Sequence, residues 1–308
     1  MSAEIESLFF TREVPWHGLG VKLEECPTSK DAIIAAGLDW TVESKPIFDV
    51  SGNEIPRYKA NTRNIDNSVL GIVSNKYTIV QNADAFEFTD TLIGNGVTYE
   101  TAGSLKSGRT IWLLAKLEGT KIAGDDIDPY ICFTNTHDGT GSIKVCMTPV
   151  RVVCANTLNF ALDKASRMWS AKHMGNIFGK LEEAKHTLGL ATEYMNELKV
   201  VSESLATIPF SKAEFEKVFD AMYPINYVTD SKRKIDNIEA VKAALFKCYN
   251  AADLNNFRNT KYGALMAVTD MVAHSAPGRL TQNWQENNWG KIMVGHPVVD
   301  EFYKRIVA

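Results

Sequence analysis

No stretch of this chain approaches the ~18 consecutive apolar residues that a membrane-spanning helix needs, so no membrane partner is expected. The opening residues, MSAEIESLFFTREVPW, lack the basic start and long apolar core of a signal peptide, and the expected location is cytoplasmic. Cysteine is sparse. Cys26, Cys132, Cys146, Cys154 and Cys248 are odd in number, widely spaced and without a CxxC pair, which argues for reduced thiols rather than a disulfide framework. The phosphate and dinucleotide motifs are also missing: GLGVKLE fails at its third glycine, and neither GxxxxGK[ST] nor HExxH occurs. No motif compels an enzyme, and neither a catalytic centre nor a cofactor is expected. Internal repeats and low-complexity tracts are absent as well.

What is present is ordinary globular material. With 45% hydrophobic and 23% charged residues, neither wholesale disorder nor a fibrous repeat is plausible, and 308 residues suffice for one large domain or two smaller ones. The net charge of −4 hides an uneven distribution. Residues 1–140 hold 12 Lys+Arg against 20 Asp+Glu, whereas 141–180 hold Lys144, Arg151, Lys164, Arg167, Lys172 and Lys180 against Asp163 alone. A short basic segment in an acidic protein suggests a local anion site, unless its cations pair with the acids of the first segment.

The spacing of apolar residues predicts an α+β half followed by a helical half, divided into 1–168 and 169–308. A short helix ending at Gly37, strands through WTVESKPIFDV, EIPRYKANTRNI and NSVLGIVSNKYTIV, a helix over 82–93, and four further strand-like runs from VTYETAGSL to SIKVCM make an antiparallel sheet with packed helices. The run Ile111 to Ala115 is apolar on both faces, as in a central strand. Beyond 168, Leu181, Ala184, Leu188, Ala191, Met195, Leu198, Leu205 and Ile208 recur at steps of three and four. They predict one long helix whose seam could pack on a neighbouring subunit of a homo-oligomer, or serve a lid. SKAE at 211–214 reads as a capping box, with Phe210 and Phe215 as its hydrophobic staple. Further helices are expected over 232–250 and 259–275, before a tail containing Trp284 and Trp289.

The stretch TPVRVVCANTLNFAL (148–162) carries the functional argument. With Thr148 as N-cap and Pro149 in the first helical position, Arg151 becomes the third residue of a helix over 149–165. A cation beside the positive end of a helix is disfavoured by about 0.3–1 kcal/mol, so something negative should compensate. That partner is either a bound phosphate or carboxylate, or an internal acid such as Asp138 or those of GDDID (124–128). Trp169 and Phe178 interleave with Arg167, Lys172 and Lys180, and Asn156 and Asn159 add a polar face. Cations that follow a backbone and aromatics that stack on bases are what single-strand binding requires.

At these residues a resemblance enters. PWHGLG (15–20), GLDW (37–40), TAGSLKSGRTIWLLA (101–115), NTHDGTGS (135–142) and TPVRVVCANTL (148–158), with a looser match at KYGALMAVTDMVAH (261–274), resemble the phage/plasmid-like protein family defined as domain of unknown function 932. The resemblance implies an accessory of phage or plasmid DNA metabolism. The succession of helix, antiparallel meander and helix is in turn similar to the core of single-strand annealing proteins of the Red-beta and Erf kind, an analogy of fold alone. By that analogy Lys106, Arg109, Lys144, Arg151 and Arg167 would line a groove for single-stranded DNA, and Thr148, Asn156, Trp169 and Lys172 are further candidates for binding nucleic acid or phosphate.

Other chemistries compete. An enzyme acting on a phosphate-bearing substrate would use the helix start near Arg151, and a non-catalytic interaction factor would use neither. Cys132, His137, Cys146 and Cys154 lack the close ligand pairs of structural zinc sites, so no metal is expected there. Cys154 with His137 or His17 would form a nucleophile pair, although a cysteine on an apolar helix face is more often packed than reactive. His17 sits in a Gly-rich loop as a structural plug or a ligand. Asp125, Asp126 and Asp128 read as a solvated turn more readily than as a Mg²⁺ site.

Overall fold

The computed structural model describes residues 5–11, 20–93, 98–151, 156–157, 168–275, 284, 288, 291 and 295–308. It has mixed α and β content, as the sequence pattern predicts, with antiparallel sheets and packed helices. Its contacts divide the chain into two units. The first comprises Met1–Leu117, Tyr130–Met147 and Ser166–Leu190, and the second Glu118–Pro129, Thr148–Ala165 and Ala191–Ala308.

In the first unit, β1 (Ile5–Phe10) lies between the short β2 (Val21–Lys22) and β6 (Thr98–Leu105). The ladder continues through β7 (Thr110–Lys116), β9 (Asp125–Thr136) and β10 (Ile143–Arg151), with β12 (Met168–Ala171) paired to β10. Strand β7 is central but two-faced: Ile111, Leu113 and Ala115 are buried, while Trp112 and Leu114 are only half-buried. A second antiparallel sheet is built from β3 (Val42–Phe48), β4 (Glu54–Arg63) and β5 (Val69–Ser74). Helices α1 (Ser29–Ala35) and α2 (Asn82–Ile93) pack against the large sheet. Phe86 of α2 meets Tyr99 of β6 with ring centroids 5.0 Å apart, and Phe88 meets Phe133 of β9 at 5.9 Å. Burying such a ring stabilises the fold by about 1.5–3 kcal/mol, so two rings suffice to fix α2 on the sheet.

In the second unit, β8 (Thr120–Ile122) forms a hairpin with the start of β9, and β11 (Asn156–Thr157) pairs with the end of β10. The acids of GDDID belong to that hairpin, where Lys121 holds Asp126 at 2.8 Å. Helix α3 (Ile177–Thr207), whose residues up to Leu190 are counted with the first unit, is the expected long helix. Of the expected seam residues whose burial is described, Leu198 and Leu205 are buried and Met195 and Ile208 half-buried, with Tyr194 and Ser202 buried beside them. Helix α4 (Lys212–Met222) begins with the predicted capping box, Ser211 and Glu214 satisfying each other's backbone N–H, and the Phe210 and Phe215 rings meet at 6.4 Å. Phe215 also touches Phe246 and Tyr249 of α5 (Lys232–Tyr249) and Phe302 of α7 (Pro297–Val307). Helix α6 (Lys261–His274) is buried from Tyr262 to Thr269, an all-round apolar helix at the centre of a helical core.

The expected helix over 149–165 is corrected at its start. Residues 148–151 continue β10, with Val150 opposite Thr157 and Arg151 opposite Asn156. Thr148 therefore caps no helix, Pro149 lies inside a strand, and Arg151 is the last residue of β10. The physical reason is a run rich in β-branched residues, Ile143, Val145, Thr148 and Val150, together with a pairing partner supplied by β11. Pro149 has no N–H to give the ladder, which an extended backbone tolerates only where none is asked for. Residues 152–155 and 158–167, with Cys154 and Arg167, lie outside the described residues, as does His17.

Candidate functional site

One end of the large sheet gathers five of the predicted residues. Register pairs Thr110 with Thr136, so the β6–β7 turn and the β9–β10 turn leave the sheet side by side, and His137 N–H donates to the Arg109 carbonyl at 2.7 Å between them. Lys106, Ser107 and Gly108 make the first turn in left-handed conformation, with φ of 55°, 57° and 82°. The glycine is needed there: a Cβ at 108 would lie 3.2 Å from both Arg63 and Trp40. In the second turn Asp138 Oδ1 accepts from the Thr140 amide at 2.9 Å and from its hydroxyl at 2.7 Å, an Asx-type brace. Lys144 opens β10 and faces Ser170, both exposed, while Ile143 pairs with Ala171, so Lys172 emerges at the same end of the sheet.

Lys106, Arg109, Lys144 and Lys172 are exposed and Trp169 is half-buried. Among the described residues, Arg109, Lys144 and Lys172 have no ion-pair partner. Trp169 and Lys172 line an open cleft of about 380 Å³ with Ser170, Met174, Lys180 and one acid, Glu183. Lys180 Nζ donates to the Met174 carbonyl at 2.9 Å, which holds its ammonium at the cleft wall. Thr148, Arg151 and Asn156 belong to the second unit and are not part of this group. With the helix start at Arg151 absent, a phosphate site built on a helix dipole there loses its basis.

Beneath the two turns lies a buried polar cluster that sequence reasoning missed. The link between β5 and α2 buries Tyr77 and Val80, and its carbonyls are met by side chains. Asn135 Nδ2 donates to Val80 O at 3.0 Å, His173 Nδ1 meets Thr78 O at 3.0 Å, and Gln81 holds Val42 through both N–H and C=O. Asn82 donates to Leu38 O and Trp40 O and receives His137 Nε2 at 3.0 Å. Asn61, from β4, donates to the His137 carbonyl at 2.8 Å. Tyr77 stacks on His173, centroids 4.5 Å apart, and its hydroxyl donates to Thr136 O. Trp40 meets His137 edge-on at 5.6 Å, and Arg63, over the Trp40 ring, pairs with Glu6 at 2.6 Å and with Asp66.

The electrostatics of the cluster follow from its burial. Desolvation, with the neighbouring His173 acting the same way, pushes His137 down to about 3, and burial lowers His173 too, so both imidazoles are neutral at pH 7. The Arg63 guanidinium holds the Asp66 carboxyl well below the usual carboxylate range. With its imidazoles neutral and its side chains bonded to the backbone of several elements, the cluster acts as a clamp that fixes the turn carrying Arg109 and the turn that leads into Lys144. GLDW and NTHDGTGS signalled part of it, since Trp40 and His137 lie in them. Asn61, Asn82 and His173 had no local signal.

The zinc spacing resolves differently. His137 is committed to Asn82, and Cys132 and Cys146 are buried neighbours whose thiol contact, with burial, raises the Cys132 pKa. Among the described residues no three His, Cys, Asp or Glu side chains group as a metal site would require. Nor, among them, is any helix long and apolar enough to cross a membrane.

No curated protein matches the chain, and no solved structure does. A sequence profile described as Domain of unknown function (DUF932) matches residues 69–290, which takes in the β9–β10 turn, Lys144, Trp169 and Lys172 as well as most of the helical half. The chain therefore belongs to the DUF932 family.

Proposed function

We propose that the protein binds single-stranded nucleic acid across the end of the sheet formed by the β6–β7 turn, the β9–β10 turn and β12. The observation that carries this reading is the set of three exposed cations at one end of the sheet, Arg109, Lys144 and Lys172, without ion-pair partners among the described residues, of which Lys172 lines the Trp169 cleft. Unpaired cations attract a phosphate backbone, and an accessible indole gives a base a stacking platform without demanding a particular sequence. Glu183 narrows the path by repelling phosphate at the cleft wall. The clamp below supports binding by holding the turns in place before the ligand arrives. In its wider form the reading is an annealing protein of phage or plasmid recombination acting as a homo-oligomer.

The test is anisotropy of a labelled single-stranded oligonucleotide across salt concentrations. Binding should weaken steeply with salt and be lost in the triple variant Arg109→Gln, Lys144→Gln, Lys172→Gln, with the fold checked by circular dichroism. No binding at low salt, or a triple variant that binds like the parent, refutes the reading. Annealing of complementary strands and the mass of the particle in solution test the wider form.

A further inference from the structure

A second site, independent of the nucleic-acid reading, lies in the helical unit. Arg233, Asn237, Ala240 and Ala244 follow one another on α5 at steps of four, three and four, so they share one face of that helix. This face forms one wall of a cleft of about 610 Å³, within the size range of small-molecule sites. The lining also includes Trp284, the half-buried Tyr223 and the end of α6 at Met271 and Val272. The lining is largely apolar and aromatic, and among the described residues Arg233 is its one charged residue. No ion-pair partner for Arg233 occurs among the described residues.

The polar groups around the cleft have defined roles. Asn288 Nδ2 is committed to the Val272 carbonyl at 2.8 Å. His296 Nδ1 accepts from the Val298 amide at 3.3 Å, so in the neutral ring Nε2 carries the hydrogen and is a donor. An apolar slot with aromatic walls, one unpaired guanidinium and a neutral N–H donor is complementary to a flat ring that bears a negative charge. We propose that this cleft binds a small aromatic anion, with the ring between the α5 face and Trp284 and the anionic group on Arg233.

Four probes separate charge from ring: adenosine monophosphate and 8-anilinonaphthalene-1-sulfonate as anions, adenosine and N-phenyl-1-naphthylamine as their neutral counterparts. Binding is followed by calorimetry for the nucleoside pair and by fluorescence for the naphthalenes. At least one anion should bind roughly tenfold more tightly than its neutral counterpart, and which one does so distinguishes a nucleotide from another aromatic acid. Arg233→Gln should bring that anion to the level of the neutral probe and leave the neutral probe unchanged. Ala240→Trp fills the slot from an exposed position, away from the core, and should abolish both. Both variants should melt at the parent's temperature. The proposal is overturned if Arg233→Gln binds the anion as the parent does, if Ala240→Trp leaves binding intact, or if none of the four probes binds at millimolar concentration.

Discussion

His137 and Asn82 fix each other's chemistry. The Asn82 amide nitrogen is held by the carbonyls of Leu38 and Trp40 at 3.0 and 3.2 Å, so its oxygen must face the imidazole 3.0 Å away. Nε2 of His137 therefore carries the hydrogen, and Nδ1, buried and without a protein partner, is a bare acceptor.

That arrangement makes stability depend on acid. An unfolded imidazole titrates near 6.5, whereas His137 in the fold takes a proton only at about 3. The unfolded chain binds a proton that the folded one refuses. The stabilisation is complete above pH 6.5 and drains as pH falls towards 3, by up to ~1.4 kcal/mol per pH unit for this one group. His173, also lowered, contributes with the same sign. Urea midpoints should decline between about pH 7 and pH 5, and His137→Gln should flatten the decline; an unchanged slope in that variant removes His137 as its cause.

Asn82→Leu keeps the volume and removes every polar contact. Two buried carbonyls and the His137 N–H would lose their partner at once, a cost of about 3–5 kcal/mol. A denaturant midpoint close to the parent's would show that the clamp is dispensable.

Gly71→Ala tests the seat of the β9–β10 turn. An added methyl there runs into the Asp138 backbone, so the turn must shift, at about 1–3 kcal/mol. Gly52→Ala is the comparison: it meets nothing within 4 Å and bears only the strain of its φ of 83°, about 1 kcal/mol. Thermal melting ranks the two, and on the proposed function only the first should also weaken oligonucleotide binding.

Lys144→Gln and Lys172→Gln should each lower the salt slope of single-strand binding by about 0.7, the effect of one lost phosphate contact. Trp169→Ala should instead cost about 1–3 kcal/mol of affinity with the slope unchanged, as loss of a stacked base would. Lys121→Gln, whose ammonium is already paired with Asp126, should do neither.

Much of this architecture was legible because its signals are local. Alternation gave the strands of both sheets, and Ser211, Glu214, Phe210 and Phe215 announced α4 within six residues. The failure at Thr148 and Pro149 came from the same source: these residues suit a helix start and an extended strand equally, and the deciding partner is β11 rather than a neighbour in sequence. The clamp was hidden for a related reason. His137 lies 55 residues from Asn82 and 76 from Asn61, and His173 lies 95 from Thr78, so no window along the chain contains a pair. Counting His137 with three cysteines as a spaced quartet measured distance along the chain, while the imidazole was already engaged elsewhere.

The link between β5 and α2 can be closed only late in synthesis, long after it has left the ribosome. Its carbonyls at Thr78 and Val80 wait for His173 and Asn135, which are translated much later. Until then the nascent first unit carries bare acceptors where water must stand in, and it can close only after β12 and the start of α3 have been made. A ribosome stalled before His173 would therefore present an unfinished sheet, open to protease and to the holdase chaperones of its cell.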